Sequence, residues 1–193
     1  METGVGGTIP ATGTSGATYF DIVVGDSGTI SDVTIRLLDL SHTRVGDLRI
    51  TLSSLEAGVS RDLIYRVGAD GAVGGGDNSD LGGDYVFNDS YAASFWTAAS
   101  DANGTNAIVP GGNFFASTID GAFVSLLDGF GGLEAAGTWR LTVSDLVSNN
   151  AGDLAGWQLE LTTSPSVSAV PEPATCLLLL FGLASLALRR KIG

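Results

Sequence analysis

Apolar and polar residues alternate most cleanly in two neighbouring stretches. Val33, Ile35 and Leu37 interleave with Asp32, Thr34 and Arg36, and Leu48, Ile50 and Leu52 interleave with Asp47, Arg49 and Thr51. A period of two puts each apolar set on one face of an extended strand, so both stretches predict strands with one dry and one wet face. Ser41-His42-Thr43-Arg44-Val45-Gly46-Asp47 between them carries the small, polar and Gly residues of a tight chain reversal. Two such strands leave their apolar faces uncovered, so other segments must supply a second sheet.

The same period recurs elsewhere. Residues 17–24 set Phe20, Ile22 and Val24 against Tyr19, Asp21 and Val23, while Trp139, Leu141 and Val143 alternate with Arg140, Thr142 and Ser144. Trp157, Leu159 and Leu161 alternate with Gln158, Glu160 and Thr162. Residues 61–67 and the short run Tyr85-Val86-Phe87 read as further strands. The turn-forming Asn149-Asn150-Ala151-Gly152-Asp153 suits a hairpin or a longer β-connection. Residues 68–84 and 98–115 read as loops, the latter a long surface loop, and residues 123–130 fit either a short helical turn or an irregular apolar cover. With 28 glycines punctuating short strands, the chain reads as all-β: a jelly-roll-like β-sandwich of about eight strands, followed by a C-terminal hydrophobic helix.

Composition divides the 193 residues into four parts. Residues 1–16, rich in Gly and Thr, read as a flexible segment with no basic and apolar run of the signal-peptide kind. Residues 17–163 form the sandwich, 164–170 a Ser/Pro/Val linker, and 171–193 a distinct tail. In that tail an apolar run over 174–188 precedes Arg189-Arg190-Lys191. Fifteen helical residues rise only about 22 Å, short of the roughly 30 Å hydrocarbon core, so crossing a membrane would need flanking residues or local thinning. The basic cluster predicts a cytoplasmic C-terminus, with the sandwich on the other side. Six arginines face twenty acids before Pro171, which leaves no basic stripe for nucleic acid. Cys176, the single cysteine, lies in the apolar run and rules out an internal disulfide.

The tail, with Pro171-Glu172-Pro173, the apolar helix and Arg189-Arg190-Lys191 in order, resembles the PEP-CTERM sorting signal of Gram-negative, exopolysaccharide-producing bacteria. That resemblance implies export, an exosortase-type processing enzyme as partner, and anchoring in the inner membrane before release to the cell surface or medium. The sandwich resembles the P domain, or Homo B domain, of proprotein convertases. The motifs are Leu40-Ser41-His42-Thr43-Arg44-Val45-Gly46-Asp47-Leu48, Phe87-Asn88-Asp89, Gly137 to Asp145, and Gly152-Asp153-Leu154-Ala155-Gly156-Trp157. Ser53-Ser54-Leu55-Glu56 departs from the Ser-Pro-x-Gly turn usual there. The P-domain resemblance implies a non-catalytic jelly roll that stabilises a subtilisin-like serine protease and tunes its calcium and pH dependence.

Three functions follow from these readings: an exported binding or stabilising module, an accessory domain or remnant of a subtilisin-like protease, and a structural component of the exopolymer matrix. A protease and a surface polysaccharide are the partners in view beside the exosortase. His42 is the lone histidine, so a Ser-His-Asp mechanism would have to use it; the simpler reading is a turn histidine bonded to backbone near Asp47. Gly13-Thr14-Ser15-Gly16-Ala17 resembles a protease nucleophile segment but lacks the upstream Asp and His motifs. Calcium is the one cofactor the sequence suggests, with Asp47, Asp89, Asp145 and Asp153 at strand ends as its carboxylates; caps on turns are the alternative. Trp139 and Trp157 read as core, and Phe95-Trp96 and Phe114-Phe115 as core or as an aromatic contact for a partner or glycan.

Overall fold

The computed structural model describes residues 1–11, 13, 16–69, 75–102 and 104–164. Outside these lie Pro171, Glu172, Pro173, Arg189, Arg190, Lys191, the apolar run 174–188 with Cys176, all of the linker but Ser164, and Thr14 and Ser15. Among the described residues no helix is long and apolar enough to cross a membrane.

Two antiparallel-rich sheets enclose one core. The larger is ordered β1 (Glu2–Ile9), β12 (Gly152–Ser164), β3 (Thr29–His42), β6 (Asp80–Phe87) and β7 (Ile108–Val109), with β8 (Gly112–Phe114) also on β6. The smaller is ordered β2 (Gly16–Val24), β11 (Gly137–Asp145), β4 (Leu48–Ser54) and β5 (Val59–Tyr65). A small β9 (Ala116–Ser117) and β10 (Phe123–Val124) pair, a helix α1 (Phe95–Ala102) and a helical turn α2 (Leu127–Phe130) complete the fold. The alternating residues face inward as expected: Ile35 and Leu37 from one sheet, and Ile50, Leu52 and Leu141 from the other, are fully buried in a single cluster.

The central pair differs from a simple reversal. β3 pairs with β12 and β6, whereas β4 pairs with β11 and β5, so the connection crosses from one sheet to the other. The dry faces of β3 and β4 thus meet across the core instead of sharing one face. The link between β11 and β12 makes the same crossing, which selects the longer connection over a hairpin.

Three segments expected to be irregular are ordered. Residues 2–9 form β1, an edge strand paired along its length with β12. Its glycines act by close approach: a Cβ on Gly4 would run into the Trp157 indole, and one on Gly6 into the Leu154 carbonyl. Gly4→Val is therefore expected to lower stability by about 1–3 kcal/mol, read as a lower urea midpoint together with a shift in tryptophan emission. Residues 98–115 hold most of α1 and both short strands that close the β6 edge, because Phe95 and Ala99, one helical turn apart, are fully buried. Strand β6 begins at Asp80, so Gly82 and Gly83 belong to the sheet and pair with Ser41 and Leu40.

Candidate functional site

Both sheet crossings fall at one end of the sandwich, and the polar residues of the two connections meet there. A 3₁₀ turn over Val45–Asp47 tucks Asp47 inward. Its main-chain carbonyl accepts from the Leu146 N–H at 2.8 Å, and its side chain accepts from Asn150 Nδ2 at 2.6 Å. Asp145, the last residue of β11, takes the Val147 N–H on Oδ1 at 3.0 Å. The His42 ring lies between the two connections. Its Nδ1 sits 2.9 Å from the Arg44 carbonyl and its Nε2 3.6 Å from Asp145 Oδ2, with both side chains fully enclosed. Arg44 Nε stands 3.6 Å from Asp47 Oδ1.

The electrostatics are those of charge held away from water. Burial pushes the Asp145 carboxyl above the ordinary carboxylate range, opposed by the Val147 N–H and by His42. Burial raises Asp47 as well, opposed by the Asn150 bond and by Arg44, while Asp145 nearby adds to the rise. The Arg44 main chain brackets His42 Nδ1, its carbonyl at 2.9 Å and its N–H at 3.2 Å, while Nε2 faces Asp145 Oδ2 from 3.6 Å, beyond hydrogen-bond reach. The expectation for His42 is thus met at Nδ1, while Nε2 faces a carboxylate from the opposite connection. At 2% exposure, and with each nitrogen so placed, the ring has no approach for a substrate.

The four aspartates singled out in the sequence do not form one site. Asp89 caps α2, accepting from the Leu126 and Leu127 N–H groups at 2.8 and 3.1 Å and from Ser125 Oγ at 2.7 Å. It follows Asn88, which bonds Asp32 near the start of β3, about ten strand residues or roughly 33 Å from His42. Asp153 is exposed on β12 opposite Ser41. Only Asp47 and Asp145 converge, and their neighbours are N–H donors and a guanidinium rather than the further oxygens a calcium shell of six to eight requires. Among the described residues no group of three or more His, Cys, Asp or Glu could hold a metal ion. Chelation is expected to leave the Tm of the purified protein unchanged; a drop on chelator that calcium reverses would place an ion elsewhere.

Of the aromatic pairs, Phe95 and Phe114 are core, packed with Tyr85 and Phe87 at ring separations of 5.4–6.4 Å. Phe115 packs edge-on to Phe123. The Asn150 bond to Asp47 and the role of Arg44 went unread in the sequence, where only the polar turn composition of both connections marked them.

The fold is an all-β sandwich in which the two connections between the sheets meet in a buried polar corner. Residues 116–161 match the proprotein convertase P-domain family, and residues 169–191 match the PEP-CTERM protein-sorting motif. The P-domain match brings in Asp145, Asn150, Trp139 and Trp157, and the segment with His42, Arg44 and Asp47 folds onto it. The fold is also similar to the crystal structure of a serine protease of Aeromonas sobria, with 18% identity, a TM-score of 0.45, and coverage of 84% of this chain and 27% of that one. The same protease in complex with a chaperone gives 18% identity, a TM-score of 0.45, and coverage of 85% and 27%. The chain thus spans about a quarter of the length of these structures. No curated protein matches it in sequence.

Proposed function

We propose that this chain is an exported, non-catalytic module that is sorted by its tail, released near Pro171, and acts by binding or stabilising a partner at the cell surface. The observation that carries the reading is the succession, in one chain, of a segment matching the P-domain family and a PEP-CTERM sorting motif directly after the last strand. The enclosed His42 supports a structural rather than a hydrolytic role for the sandwich. A second reading, an accessory part of a longer subtilisin-like protease, is favoured by the proprotein convertase association of the matched family.

Intact mass and terminal sequencing of the protein from the envelope and medium of its native host test both. A domain-sized product ending near Pro171 is the expected result. An uncleaved product retained in the cytoplasm would overturn the sorted-module reading, and a far longer product extended at the N-terminus would establish the second.

A further inference from the structure

The outward face of the smaller sheet combines features that a solvated strand surface does not need. Pairing registers place Tyr19, Thr142, Thr51 and Asp62 in one row across β2, β11, β4 and β5. The rows on either side run Ala17, Ser144, Arg49, Tyr65 and Asp21, Arg140, Ser53, Ser60. Two tyrosines therefore stand at opposite edges of the sheet, about 16 Å apart from three strand spacings and one step along the strands. The floor between them is made of Thr142, Ser144, Thr51 and Ser53, with Arg140 and Arg49 on the same two central strands.

Each tyrosine is held in place by a matching device. Arg140 lies 5.0 Å over the Tyr19 ring and clamps Asp21 with two bonds of 2.7 and 2.8 Å. Arg49 lies 4.5 Å over the Tyr65 ring and clamps Asp62 with bonds of 2.8 and 3.1 Å. Each ring is thus braced on its arginine side, and Tyr19 remains 58% exposed. The face is also electrically self-compensated: its two arginines are matched by two aspartates on a chain of net charge -12.

We propose that this face binds an uncharged polysaccharide chain. Sugar rings present apolar C–H faces and a rim of hydroxyls, which fit braced aromatic rings flanking a floor of donors and acceptors. An anionic polymer would find both guanidiniums already paired. A protein partner would seek a central apolar anchor, and the centre here is threonine and serine. The proposal stands on a surface separate from the buried corner and does not depend on the sorting reading, because its test uses purified protein.

The test is native electrophoresis of the purified chain through gels cast with hydroxyethyl cellulose, glucomannan or dextran as neutral polymers, and with alginate as the anionic one. Retardation in at least one neutral gel and none in alginate is the expected result. Tyr19→Ala and Tyr65→Ala should each weaken that retardation about tenfold with the Tm within a few degrees of the parent, and Val5→Ala, on the other sheet, should leave it unchanged. Free passage through every neutral gel overturns the proposal, as does retardation that survives the double tyrosine variant. Equal retardation in alginate would assign the face to anionic polymers instead.

Discussion

Asp145→Ala is expected to destabilise the protein by about 1–3 kcal/mol, a fall in Tm of several degrees, whereas Asp145→Asn should cost less than about 1 kcal/mol. The alanine leaves the Val147 N–H without its acceptor and opens a gap where the carboxylate faces the His42 ring inside a closed corner. The amide keeps the shape of the carboxylate and an oxygen for the Val147 N–H. The two variants differ in pH response as well. Asp145 and Asp47 are raised by burial, so the fold binds their protons more tightly than the unfolded chain does. Their contribution is complete below about pH 4, the unfolded value, and is lost as pH climbs through the folded values. Glu56 and Glu134, lowered by the Thr138 and Gly28 N–H groups, act in the opposite sense and weaken the fold as acid protonates them. Tm measured against pH should therefore pass through a maximum in mild acid, and Asp145→Asn should flatten its alkaline descent. An Asp145→Asn curve that falls as steeply as the parent's would remove Asp145 from this account.

The second large effect is expected at Trp139. Its indole is 1% exposed, packs edge-on against Phe130 at 5.1 Å and donates Nε1–H to the Ala135 carbonyl at 2.9 Å. It thereby ties the segment that includes α2 to the centre of the smaller sheet. Trp139→Ala should cost about 3–5 kcal/mol through the cavity it opens. Trp139→Phe keeps an aromatic partner for Phe130 but strands the Ala135 carbonyl, at about 2 kcal/mol. Urea midpoints report both, and an unchanged slope shows that the denatured state is not what moved. A Trp139→Ala midpoint equal to the parent's would show that the site collapses around the gap.

Reading the sequence reached the faces of the strands but not their partners. The inward set on β3, β4, β11 and β12 followed from alternation, which is a local property of the chain. That β3 and β4 lie in different sheets follows from pairing with residues roughly a hundred positions away, and no periodicity records it. Strand β1 escaped notice because its glycines, needed where it presses on Trp157 and Leu154, look compositionally like a linker. The Gly82-Gly83 pair hid the first half of β6 for the same reason. Helix α1 rests on one buried turn, Phe95 and Ala99, too short a pattern to stand out. At the site, His42, Asp47 and Asp145 were each visible as members of turn-like motifs. Their meeting depends on two crossings falling at the same end, which also separates Asp89 from them.

One strand governs the order of events in the life of the molecule. β12 is the last of the described strands, yet it lies between β1, the first of them, and β3. The larger sheet therefore cannot assemble until synthesis has delivered residues 152–164, and the loop closures it requires are long ones, which slow folding. A nascent chain lacking that strand has no partner for β1, and β3 is paired on one side only, with β6. The sorting motif begins five residues after the strand ends. The tail that matches the sorting motif is thus made only after every described strand needed for closure.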